Sequence, residues 1–532
     1  MLACALVSRS LALVFGFGLV AACGGGVAAE RPSGAAGEGG APPCVECGAG
    51  SAGDDEAGAG GSPADAGSGG DAGAGGQSGS PTTDVSIAEI SFWQTLRIPL
   101  ELSGAPVQPN APVVIGKSGV LRVYVAPPAA FEARSLSVEL ELDAALAPLT
   151  STKLVRAVSV DAQFTSTFNF PIDGDQVRAD TRYSVTLRDG AGGRVLERYP
   201  SRGQSALGAV QVPGNGFDVT VVPIRVRGWE PDVSAKNLTI FRDRVRALYP
   251  LADVRFTLHA PVSPGIDVGP EAGWDELLDY VYTLRASEAP AGNVFYYGLF
   301  TPAPRFDDYC ASDCTVGYSV VAEPTDVESR GSLGLGIFSD GSNEGAPDTM
   351  AHELGHALGR EHAPCDVAKP DSGPFPYLGG KIGVWGFDAP KHRLLDPQLY
   401  GDVMGYCVPS WISDYTYRAL FRRIEQVNAE VTVAKSLRPS APVGVYRRVL
   451  LRADGSLHWG SSFAPKRIPA GEVRELSLLG AQGQRLRVVD VPFRRFGDAR
   501  GGFLLLPEAV LGADSGVRAI GVGRARLALP AR

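Results

Sequence analysis

Lysine is nearly missing from this chain of 532 residues: of its 49 basic residues only 8 are Lys, against 41 Arg, and the net charge is -9. The basic residues are scattered, so the electrostatic footprint of a nucleic-acid-binding protein is absent and no nucleic-acid partner is expected. Long apolar runs are equally scarce. Beyond residue 23 no stretch is long and apolar enough to form a transmembrane helix. Histidine and methionine are rarer still, with six His and three Met in the whole chain, and three of the six His fall between residues 352 and 362.

Glycine, by contrast, is abundant but unevenly placed: of 67, twenty lie between residues 24 and 83. That stretch is Gly, Ala, Ser and Asp with almost no aliphatic residue, so it cannot offset the entropy of ordering and is expected to be a disordered linker. Ahead of it, Arg9 precedes an apolar run from Leu11 to Ala22, too short to span a bilayer. This reads as an export signal over residues 1–23. Its end, Val20-Ala21-Ala22-Cys23, resembles the lipobox of bacterial lipoproteins, which implies lipidation at Cys23 and a membrane contact through that anchor only. The competing reading is a secretory leader cut after Val27-Ala28-Ala29 and release outside the cell. Cys44 and Cys47 within the linker lack both the βαβ context of a redox motif and further zinc ligands, so a local disulfide or no role is expected.

Residues 84–212 alternate apolar and polar positions, as in Leu121-Arg122-Val123-Tyr124-Val125, with Gly, Pro and Asp between the runs, the pattern of an antiparallel β-sandwich. From about 213 to 430 strand-like and helical segments alternate: strands near 219–226, 254–258 and 293–300, helices near 237–248 and 274–285. That is the pattern of an α/β unit. Residues 431–532 return to short strands and are expected to form a small β domain. The expectation is therefore a multidomain chain, an α/β catalytic unit flanked by two β domains.

Residues 352–362 read His-Glu-Leu-Gly-His-Ala-Leu-Gly-Arg-Glu-His. On a helix His352 and His356, at i and i+4, share a face and can converge on one ion, while Glu353 projects beside them as a general base. Gly359 can adopt the left-handed conformation that ends a helix, returning His362 as third ligand. Three nitrogen ligands and an open position describe a catalytic Zn²⁺ site, and Zn²⁺ is the expected cofactor. Asp348 is the expected N-cap of that helix. Meeting all five fixed positions by chance in a chain so poor in His has a probability on the order of 10⁻⁵.

These five positions resemble the long zinc motif of the metzincin metalloproteases. The clan also has a Met-turn beneath the metal, and Asp402-Val403-Met404-Gly405-Tyr406-Cys407 is similar to it. The resemblance covers about residues 217–430 and implies a zincin-type (α+β) catalytic domain, Met404 as the Met-turn residue, and Tyr406 in a catalytic role at the transition-state oxyanion. It also implies that Trp411 to Val427, capped by Ser413 or Asp414, is the closing helix. If His362 and Met404 both lie near the metal, Cys365 and Cys407 are close enough to bridge, leaving Cys310 with Cys314. An extended substrate pairs with an edge strand in this clan, and Leu333 to Phe338 is the expected strand. A β-rich region ahead of such a unit in an exported chain also resembles the secreted mucin-cleaving metalloproteases. His259, His392 and His458 have no motif around them and are expected to be structural.

The function implied is zinc-dependent hydrolysis of peptide bonds in extracellular proteins or glycoproteins, by an endopeptidase held at the bacterial cell envelope. Two alternatives use the same features: a surface adhesin or glycan-binding lipoprotein with an inactive metalloprotease domain, and an amidase acting on cell-wall peptides.

Overall fold

The computed structural model describes residues 84–143, 147–365, 374–436, 441–512 and 515–530. The leader, the Gly-rich linker and Cys23, Cys44 and Cys47 lie outside the described residues. Two antiparallel five-stranded sheets come first. One runs through Ser86–Trp93, Arg97–Leu102, Ala105–Pro106, Gly119–Ala126 and Phe168–Ile172; the other through Arg134–Leu142, Leu149–Val155, Arg182–Arg188, Val195–Tyr199 and Ser205–Ala206. Their inward residues, among them Phe92, Leu121, Val138 and Val185, belong to one core that continues without a break into Val219, Phe241, Met350 and Leu354 further along the chain. Polar contacts cross the same boundary, as where Trp411 Nε1 donates to the carbonyl of Thr95 at 2.8 Å.

The next sheet has the order Val254–Leu258, Phe217–Pro223, Val294–Phe300, Gly331–Leu335, Gly317–Ser319. The first four strands are parallel and the last is antiparallel. Helices Ala235–Leu248, Trp274–Glu288 and Ala346–Ala357 flank it, as crossover helices do in a largely parallel sheet. One expectation is corrected here. Leu333 and its neighbours form an inner strand, paired on both sides, and the edge beside the Ala346–Ala357 helix is Gly317–Ser319. The physical reason is bulk: all five residues from Gly331 to Leu335 are buried, and the ring of Tyr297 fills the space where Gly334 would carry a side chain.

A last sheet of seven antiparallel strands has the order Leu457–Phe463, Tyr446–Leu451, Gly502–Pro507, Arg485–Arg495, Val473–Leu479, Ala519–Val522, Ala525–Ala528. It packs on the Trp274–Glu288 helix, with Tyr282 and Phe503 ring centroids 6.0 Å apart. Asp279 accepts from the backbone N–H of Ser461 at 2.7 Å, and Arg452 pairs with Asp275 at 2.6 Å. A buried Arg494–Asp326 ion pair adds a third tie. The hairpin of Arg485–Arg495 and Gly502–Pro507 turns at residues 496–501. That turn reaches His352 and His362.

Candidate metal centre

The active-site helix starts at Ala346, not at an Asp348 cap: Gly345 is the N-cap, and Pro347, whose fixed φ and missing N–H suit a first turn, sets the start. Asp348 lies inside that turn, where it accepts from Arg244 Nε at 2.8 Å and from the hydroxyl of Ser410 at 3.0 Å, its negative charge still facing the helix N-terminus. The other end is a Schellman motif: Gly359, at φ 74°, donates to the carbonyl of His356 at 2.7 Å while Arg360 donates to that of Gly355 at 2.9 Å. This reversal brings His362 back beside the helix.

The three imidazoles converge. His356 Nε2 lies 3.0 Å from His352 Nε2 and 3.2 Å from His362 Nε2, and all three rings are buried. His352 Nδ1 is 2.7 Å from the carbonyl of Val403 and His356 Nδ1 is 2.7 Å from that of Arg360. A carbonyl oxygen only accepts, so both Nδ1 atoms carry the proton and both Nε2 atoms present lone pairs. Two lone pairs facing each other at 3.0 Å have no proton to share, and a cation between them resolves the conflict. The donor set therefore fits a metal ion, and the Nδ1 contacts fix the rings as outer-shell partners do in metal sites.

Glu353 is 2 % exposed. Burial, with the charge of Asp498 added, raises its carboxyl well above the usual range, whereas burial lowers His356 to about 4. Gly317 on the edge strand leaves room for the Glu353 side chain, which a Cβ there would strike. Tyr406 stacks near the site, its ring centroid 5.0 Å from that of His362 and 5.7 Å from that of His352.

Met404 lies buried beneath the helix. A Cβ on Gly355 would come within 2.5 Å of its sulfur, so the Gly355→Ala chain is expected to lose about 1–3 kcal/mol of stability, measurable as a lower thermal midpoint. Asp402 holds the Met404 turn. Fully buried, it accepts from the N–H of Met404 and of Ser413, both at 2.9 Å. Ser413 in turn accepts from the N–H of Thr416 at 3.1 Å and so caps the closing helix, which runs Asp414–Ser436.

Disulfides join Cys365 with Cys407 and Cys310 with Cys314. The remaining histidines stand away from the cluster: His259 contacts Glu288 at 2.6 Å, His458 contacts Arg452 at 3.2 Å, and His392 sits near the ring of Phe387.

Sequence reasoning missed one residue. Asp498, on the turn of the C-terminal hairpin, lies with Oδ1 3.2 Å from His352 Nε2 and 3.1 Å from His362 Nε2, and with Oδ2 3.5 Å from His356 Nε2. The hydroxyl of Tyr406 donates to Oδ1 at 2.7 Å. These four side chains form a group able to hold a metal ion. A cleft of about 480 Å³ opens beside them, lined by Val316, Gly317, Thr349, Glu353, Tyr406 and Val408.

No curated protein matches the chain in a sequence search. Residues 325–406 match the family model Peptidase M66, a span that contains His352, Glu353, His356, His362, Met404 and Tyr406, and this match supports a metallopeptidase family for the chain.

Proposed function

We propose that the protein is a zinc-dependent endopeptidase of metzincin type that cuts extracellular proteins or glycoproteins, exported and tethered by lipid at Cys23. The observation that carries this reading is the convergence of three Nε2 atoms beside a buried Glu353, in a segment that matches a peptidase family. An N₃ donor set with room for oxygen suits Zn²⁺. Held there, the ion would polarise a water and the scissile carbonyl.

The chain's own residues supply the rest. Glu353 takes the proton of the attacking water and passes it to the leaving amine. Tyr406, with a hydroxyl already oriented as a donor toward an oxygen at the cluster, donates to the developing oxyanion. The Gly317–Ser319 edge offers backbone groups to an extended substrate, giving affinity from the main chain and selectivity from the pockets beside it.

A chelator is expected to abolish hydrolysis of a fluorogenic peptide library, and stoichiometric Zn²⁺ to restore it. The same removal lowers the thermal midpoint, because a ligand at about 1,000 times its Kd stabilises the fold by about 4 kcal/mol. Hydrolysis that persists in the chelated protein would overturn the reading. An adhesin with the same fold would bind its ligand and cut nothing.

A further inference from the structure

An acidic residue at the tip of a hairpin ordinarily faces water. Asp498 does not: its side chain is 12 % exposed and points into the three-histidine cluster. Four features seat it there. The N–H of Gly497 donates to the carbonyl of Ser319 at 2.8 Å, and the N–H of Val321 donates to that of Arg495 at 3.1 Å, so that Phe496 pairs antiparallel with Val320 in continuation of the Gly317–Ser319 edge. Phe496 stacks on Tyr318 of that edge strand, with centroids 4.7 Å apart. Arg495 pairs with Glu361, next to His362, at 2.7 Å. Gly497 lies against the ring of His356 so closely that a Cβ would come within 2.5 Å of it, and only glycine permits the approach.

We propose that residues 495–498 are a built-in occupant of the active site: Asp498 serves as an oxygen ligand at the position a catalytic metal keeps open, and the strand carrying it takes the substrate's place on the edge, so the folded chain is latent. The inference rests on the peptidase reading above. An extended substrate pairing with the same edge would need the carbonyl of Ser319 and the N–H of Val321, both already used by the hairpin. Its scissile carbonyl would need the space of the Asp498 carboxylate, and Tyr406 would have to release Oδ1 before it could donate to an oxyanion. Substrate and hairpin therefore exclude one another. Activation requires the turn at 496–501 to leave the cleft, while the rest of the seven-stranded sheet stays anchored through Asp279 and Asp326.

The test compares the full chain with Asp498→Ala, which removes the carboxylate, and with Gly497→Val, which keeps it but levers the turn off His356. Each is loaded with Co²⁺ for its visible d–d absorption, which reports the ligand set without any turnover, and each is assayed with Zn²⁺ on a fluorogenic peptide library. Both variants are expected to shift the Co²⁺ spectrum and to raise kcat/KM by at least about tenfold, because the competing occupant raises the barrier from free enzyme to transition state. A Co²⁺ spectrum unchanged in both variants overturns the ligand assignment. Shifted spectra with turnover equal to or below wild type overturn latency and leave Asp498 as a ligand. If the spectra shift and no form of the chain cuts any peptide, the peptidase reading fails, and latency fails with it.

Discussion

Glu353→Gln is expected to lower peptide hydrolysis by about 10²–10⁴-fold, the usual worth of a positioned general base, while metal content stays stoichiometric. The substitution keeps the shape of a buried side chain packed against Gly317 of the edge strand, and it leaves His352, His356 and His362 intact. What it removes is the proton acceptor. Because Gln is neutral and a buried carboxylate is costly to ionise, the variant is expected to be at least as stable as wild type. Equal zinc content and an undiminished thermal midpoint, set beside the lost turnover, separate this chemical effect from misfolding. Retained hydrolysis would assign the base elsewhere.

The largest loss of stability is expected from replacing both Cys365 and Cys407 by Ser. Their disulfide closes a loop of sequence separation 42, for which chain entropy gives a stabilisation of about 4 kcal/mol. The bridge also joins the two segments that complete the centre, three residues beyond His362 and three beyond Met404. Backbone bonds run the same way, from the N–H of Ala363 to the carbonyl of Met404 at 2.9 Å and from that of Tyr406 to Cys365 at 2.9 Å. The double variant is therefore expected to unfold at lower denaturant concentration and to bind zinc more weakly. Opening the Cys310–Cys314 bridge, which spans a separation of only 4, should cost less. Denaturant titration of the two variants side by side checks the order.

The three converging histidines were legible in the sequence because they are local: one helix face, one glycine turn and one further His need only about eleven residues to meet. The Cys365–Cys407 bridge was legible at one remove, through the spacing of each cysteine from a residue expected beside the metal. The edge strand was not. Which strand of a sheet lies outermost depends on where the chain re-enters after residue 300, and the small apolar run Gly331–Leu335 reads equally well as an edge or as an inner strand until its neighbours are placed. Asp348 misled for a local reason, since Pro347 moves the helix start one turn earlier than a carboxylate cap would. Asp498 had no signal at all beyond a Gly-rich turn around an acidic residue. It lies 136 residues from His362 and reaches the cluster only through the packing of a separate sheet on the Trp274–Glu288 helix, a contact that no short window of sequence encodes.

Peptide-bond hydrolysis is read most directly from the formation of new N-termini. Folded extracellular glycoproteins should be incubated with zinc-loaded wild type, with Asp498→Ala and with the Asp498→Ala, Glu353→Gln double variant, and the newly exposed α-amines identified by mass spectrometry. The predicted result is a defined set of internal cuts that is strongest for Asp498→Ala, weak for wild type, and absent from the double variant and from every chelated sample. Stoichiometric zinc with no new N-termini in any sample, or cuts that survive the loss of Glu353, would contradict it.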